Sequence, residues 1–157
     1  VGSEMCIRDR LAAEGHLYMD DGQTFAYRDD QAYLARKFTL ARDGPGHLRL
    51  ASTSLTGRDI HTSASSTALQ VPGNAYEQET SSVRVERIIV YGLPEVHRII
   101  ARDAHGHETS LAFTYTSGTS RSPTASDASA RLASRLEIRD PRVLIGQDWS
   151  ILMEIAP

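Results

Sequence analysis

Two adjacent carboxylates, Asp20 and Asp21, are the first groups in this chain that could do chemistry. A general acid and its carboxylate partner must converge on one reacting centre. Neighbours in an extended hairpin point to opposite faces and do not converge. Followed by Gly22, the pair reads instead as a turn whose Asp oxygens accept backbone amides. Calcium coordination is the alternative use of the same oxygens. His105 and His107 flank Gly106, a spacing that can present two imidazoles to a metal with Asp103 as third ligand. Nothing else clusters there, so exposed turn histidines are the expectation. His16, His47, His61 and His97 are scattered and carry no assigned role. Serine is abundant, but no Gly-x-Ser-x-Gly elbow supports a hydrolytic nucleophile. Tyr18, Tyr27, Tyr33 and Tyr76 could stack on sugar rings, with Tyr27 sharing a face with Phe25 and Tyr76 the freest. Trp149 opens an alternating apolar run and is read as a core anchor. Thus no catalytic, cofactor-binding or metal-binding residue is expected, no cofactor is implied, and carbohydrate-binding residues stay unassigned.

The elements that would position these groups are strands. Period-two alternation dominates and long helical stripes are missing. Leu17 and Met19 alternate with His16 and Tyr18. Asp21-Gly22 suits a tight turn, and Phe25 and Tyr27 would lie on the returning strand of a β-hairpin. Leu34, Phe38 and Leu40 line a strand near 33–41, with Arg36 interrupting. Leu48 and Leu50 follow the turn Asp43-Gly44-Pro45-Gly46. Val83 to Tyr91 reads as a central strand covered on both faces, because Ile88 and Val90 make its end apolar on each side. Val96–Ala101, then Leu111, Phe113 and Tyr115, mark two more. A strand near 132–139 is preferred to a helix over Asp127–Leu136. Trp149, Ile151, Met153 and Ile155 form the last strand, with Ser150 and Glu154 outward. Residues 56–82 and 117–130, rich in Ser and Thr, read as surface loops. The expected fold is all-β: an antiparallel β-sandwich of about eight strands with two long loops.

Composition narrows function. The net charge is −3, and Lys37 is the only lysine. Without a basic face interleaved with aromatics, nucleic acid is not an expected partner. No apolar run approaches the ~20 residues needed to span a bilayer as a helix, so no membrane partner is expected. Asn74 is followed by Ala75-Tyr76 and is no glycosylation acceptor.

Residues 1–10 are read as non-native: Glu4-Met5-Cys6-Ile7-Arg8-Asp9 matches the translation of a sequencing-library adapter. The native segment would then run over 11–157, with its upstream part lost. The single Cys6 lies in the adapter stretch, leaving no thiol for a disulfide or a zinc site. A (β/α)8 barrel needs roughly 250 residues and does not fit.

Four blocks, in order, resemble the distal C-terminal β-domain of glycoside hydrolase family 31 α-glucosidases. They are Gly15-His16-Leu17-Tyr18-Met19-Asp20-Asp21-Gly22-Gln23-Thr24-Phe25-Ala26-Tyr27, Tyr33–Phe38, Val85-Glu86-Arg87-Ile88-Ile89-Val90-Tyr91-Gly92 and Val143–Ile151. Within the family the blocks resemble the catalytic α-subunit of the enzymes that trim glycoproteins. The resemblance implies an accessory domain without an active site, attached to an upstream β-domain and catalytic (β/α)8 barrel. It further implies a parent that hydrolyses terminal α-linked glucose with retention, in N-glycan trimming in the endoplasmic reticulum lumen, with a non-catalytic β-subunit as a further candidate partner. A bacterial or cytosolic relative, and a stand-alone carbohydrate-binding module, are the alternatives. The family's paired barrel aspartates, one in a Trp-x-Asp-Met-Asn motif, have no counterpart here.

Overall fold

A computed structural model describes residues 11–55, 75–118 and 133–156. Within them, alternating apolar residues build nine strands in two antiparallel sheets. The larger sheet comprises β1 (Ala13–Met19), β2 (Leu34–Arg42), β3 (His47–Ser54), β5 (Val96–Arg102), β6 (Glu108–Ser110) and β9 (Trp149–Ile155). Its spatial order is β1-β2-β3-β9-β5-β6. The smaller sheet orders β4 (Arg87–Tyr91), β8 (Arg135–Arg139) and β7 (Phe113–Thr116) as β4-β8-β7.

The closing strand β9 is central because it pairs on both sides, with β3 through Leu50↔Ile151 and with β5 through Ile99↔Met153. Trp149, Ile151, Met153 and Ile155 alternate inward as expected, and Ile151 and Met153 are fully buried. Leu136 and Ile138 of β8 face them from the small sheet, in one core with Leu48, Val96 and Ile99. Burying one face of each sheet against the other is what stabilises such a sandwich. The chain between β6 and β7 crosses from one sheet to the other at Leu111-Ala112, with Leu111 buried in the core.

Three expectations are corrected. The tight hairpin at Asp21-Gly22 does not form. β1 does pair with β2 antiparallel, but the pairing closes at Met19↔Leu34 and residues 20–33 form a long connection. Gly22 does adopt positive φ (62°). Yet Phe25 caps a one-turn helix α1 (Ala26–Asp29) where a returning strand was expected. The cause is local: Asp side chains take up the turn amides, and Thr24 Oγ1 accepts the Ala26 amide, which curls the chain instead of extending it.

Second, β4 is an edge strand, not a central one. Ile88 and Val90 pack on the core, while Ile89 and Tyr91 stay exposed on the outer face. Apolar side chains on both faces mimic a doubly covered strand in sequence, but no further strand lies beyond β4 among the described residues. Third, residues 75–82 are not loop: α2 (Ala75–Glu79) runs into a 3-10 turn, Thr80–Ser82, with Thr80 buried. Of the expected loops 56–82 and 117–130, residues 56–74 and 119–130 lie outside the described residues.

Candidate functional site

The Asp20-Asp21 loop is held by its own carboxylates. Asp20 accepts the Gly22 amide, and Asp21 accepts the amides of Gln23 and Thr24 and the Thr24 hydroxyl. These bonds, the Thr24 hydroxyl first, hold the Asp21 carboxyl below its usual range. The pair is a turn-forming device, and no group of three potential ligands gathers there or elsewhere among the described residues.

Three of the four candidate tyrosines converge on this loop. Tyr18 stacks on Tyr33 with centroids 5.5 Å apart and planes 25° from parallel. Burial, then a hydrogen bond to the Asp20 side chain, push the Tyr18 phenol up to about 12. The Tyr76 hydroxyl donates to the Asp20 carbonyl at 2.9 Å, so this residue, expected to be free, is tethered and partly buried. Tyr27 packs tilted against Phe25 (6.3 Å), and Phe25 is 66% exposed rather than core.

His105 and His107 sit where the polar turn was expected, their amides both donating to Asp103 Oδ1 and His107 Nδ1 lying 3.1 Å from Oδ2. Asp103 thereby organises the turn rather than waiting for a cation.

The arrangement that sequence reasoning missed is a polar knot at one end of the large sheet. Arg36 occupies an inward position between Leu34 and Phe38, and its side chain is 1% exposed. Its guanidinium donates to Ser52 Oγ, to the carbonyls of Gly146 and Gln147, and to Asp148 Oδ1 at 2.8 Å. Asp148 Oδ1 also accepts the Ser54 amide, so one carboxylate clips β2, β3 and the entry to β9 together. Planar, five-donor arginine suits such multiple carbonyl contacts. The signal was present: a lone charge on an otherwise apolar face needs a partner.

Trp149, next to the knot, is the core anchor expected, packing on Phe38 at 6.0 Å. Its ring borders two concavities. One is an apolar groove of about 400 Å³ between the sheets, lined by Phe38, Leu40, Leu50, Ile88 and Val90 among others. The other is a polar pocket of about 160 Å³ reached from the Asp103 turn and the 142–148 loop. The buried Trp149 Nε1 has no hydrogen-bond partner among the described residues.

This two-sheet antiparallel sandwich belongs to the all-β class, with a polar clip at one end and an open groove between its layers. Among solved structures it is similar to the glucosidase II alpha subunit bound to Glc1Man2, at 24% identity and TM-score 0.65, covering 92% of this chain and 13% of that one. It is similar in the same proportions to the ER glucosidase II heterodimeric complex of catalytic subunit and regulatory-subunit binding domain, at 24% identity and TM-score 0.64. The DNJ-bound alpha subunit matches at 25% identity and TM-score 0.62. The likeness is one of fold, and it spans 13% of the length of the glucosidase II alpha subunit. No protein-family model matches the chain, and no curated protein matches it.

Proposed function

We propose that residues 11–157 are the distal C-terminal domain of a family 31 α-glucosidase, a non-catalytic scaffold, and that residues 1–10 are adapter-derived. The observation that carries this reading is the likeness over 92% of the chain to a 13% portion of the glucosidase II alpha subunit. It is supported by the four ordered sequence blocks, which fall on β1 with its loop, on β2, on β4 and on the entry to β9.

In this reading the parent enzyme removes terminal α-linked glucose with retention, in N-glycan trimming in the endoplasmic reticulum lumen, beside a glucosidase II β-subunit. The groove around Phe38, Leu40 and Ile88 takes side chains of the preceding β-domain or barrel. Apolar surface of that kind is normally covered. The test is the upstream reading frame. It is expected to encode a (β/α)8 barrel with the aspartate motif, and the joined protein to hydrolyse a chromogenic α-glucoside that the 157-residue chain leaves untouched. A frame without a barrel overturns the assignment, and an upstream signal peptide separates the lumenal enzyme from a bacterial or cytosolic relative.

A second reading, a carbohydrate-binding module, draws on Tyr18, 51% exposed above Tyr33. Calorimetry with maltose on the isolated chain distinguishes it: saturable heat lost in Tyr18→Ala favours the module, and none favours the scaffold.

A further inference from the structure

The two sheets are unequal: six strands face three. The small sheet stops at β4, while the inner face of β2 and β3 continues past it. Phe38, Leu40 and Leu50 are therefore only partly buried, and they floor the apolar groove of about 400 Å³. One wall of that groove is the free edge of β4. Antiparallel pairs alternate between residues that exchange backbone hydrogen bonds and residues that do not. The bonds from the Asp140 amide to Glu86 and from the Gly92 amide to Ser134 fix the phase, so Ile88 and Val90 turn their backbones to β8. Arg87, Ile89 and Tyr91 turn theirs the other way, and no strand lies there to meet them among the described residues.

A bare edge above an apolar floor is the complement of one more strand. Successive side chains of a strand point to opposite faces. The inward set would cover Phe38, Leu40 and Leu50, and the outward set would flank Arg87, Ile89 and Tyr91. That outer face is cationic, because Arg87, Arg135 and Arg139 share the one carboxylate of Glu137 at 3.4, 2.7 and 2.9 Å. Arg87 also lines the groove, so acidic residues suit the outward positions. A second copy of the chain does not fit, since pairing β4 with β4 would drive its large sheet into the space held by β1, β2 and β3. The course of the chain points to the source. Leu11 packs on the core and Ala13 lines the groove, so polypeptide upstream of Leu11 emerges beside the β4 edge. A short crossing between the sheets, like the one at Leu111-Ala112, would carry it there.

We propose that the open edge of β4 is a strand-addition site, filled by an extended segment just upstream of Leu11 that alternates apolar and acidic residues. This deepens the reading above and rests on it for the existence of a longer polypeptide. The added strand extends the small sheet by one. Its backbone meets the amides and carbonyls of Arg87, Ile89 and Tyr91, and its apolar side chains close the groove.

The full chain is titrated with a capped heptapeptide alternating valine and glutamate. Trp149, the only tryptophan, lines the groove and reports its filling. The expected result is a saturable change in its emission with a midpoint in roughly the millimolar range. Exchange of the Arg87, Ile89 and Tyr91 amides is expected to slow by about tenfold or more. A valine–lysine peptide is expected to bind more weakly, and equal binding overturns the acidic assignment. Ile89→Pro removes an outward amide but no bond to β8, so the fold is expected to persist and binding to fall about tenfold. Should that variant unfold, Arg87→Gln serves and is expected to erase the preference for glutamate. No response in the unaltered chain, or unchanged behaviour in the folded variants, overturns the proposal. So do amides already protected without peptide, which assign the edge to this chain itself, or protected by self-association in sedimentation, which assigns it to a second copy. Fused in place of residues 1–10 through a short linker, the same strand is expected to exclude the free peptide; free peptide that still binds overturns the upstream source. An upstream frame without a barrel overturns the family assignment and leaves peptide binding unaffected, so the two failures are distinguishable.

Discussion

Arg36 and Asp148 stand 112 residues apart in sequence and 2.8 Å apart in the fold. Their bond is the clasp of the large sheet, joining β2 to the turn that launches the central strand β9. The guanidinium is buried and the carboxylate is 60% exposed, so the pair is half-wet. Most of the desolvation cost therefore falls on arginine, which offsets it with two backbone carbonyls and Ser52.

The first prediction concerns this clasp. Arg36→Ala strands Asp148, Ser52 and two carbonyls in a space that side chain filled, and is expected to cost about 3 kcal/mol or more. Asp148→Asn keeps an acceptor but loses the charge, and is expected to cost about 1 kcal/mol. Urea unfolding measures both, and equal costs for the two variants would show that the charge, not the burial of arginine, dominates.

Core and edge are separable by truncation. Met153 is fully buried on β9, so Met153→Ala should lose about 2–5 kcal/mol. Ile89 on the outer face of β4 is 37% exposed, and Ile89→Ala should change stability by no more than about 0.5 kcal/mol. A large loss at Ile89 in the isolated chain would mean that β4 is covered after all.

Glu137 sets an acid limit. Burial raises its carboxyl, but the Arg139 and Arg135 hydrogen bonds outweigh that and hold it below its ordinary 4.5. A folded value below the unfolded one contributes stability that is complete above pH 4.5 and lost as pH falls through the depressed value. Acid unfolding followed by circular dichroism should therefore shift to higher pH in Glu137→Gln. An unchanged acid midpoint would remove Glu137 from the account.

Tyr18 sets the corresponding alkaline signature. Its folded phenol lies near 12 against an ordinary 10, so its contribution is complete below pH 10 and lost as pH rises through 12. Phenolate absorbance should show one late-titrating tyrosine, absent in Tyr18→Phe and brought back toward pH 10 in Asp20→Asn. Full titration near pH 10 while the fold persists would contradict the partial desolvation of Tyr18 and its hydrogen bond to Asp20.

Much of the sandwich was legible because strand periodicity is a local property. The faces of β9 and β1 follow from alternation alone, and Trp149 could be placed inward from its neighbours. The preference for a strand at 132–139 was met by β8, Arg135–Arg139. The loop after β1 was misread because Phe25 and Tyr27 carry the spacing of a strand, whereas the decisive forces were side-chain-to-amide bonds of Asp21 and Thr24. Alternation could not reveal that β4 lies at an edge, since exposure of Ile89 depends on which strands assemble beside it.

By itself the sequence determined the all-β character, the inward set of β9 and the turn-forming use of Asp20 and Asp21. These depend on residues within a few positions of each other. Only the tertiary structure decided the partner of Arg36, the sheet each strand joins, the crossing at Leu111 and the gathering of Phe38, Leu40 and the open edge of β4 round one groove. Those contacts close over long stretches of chain, and long-range pairing is fixed by the packing of whole sheets, which local spacing does not encode.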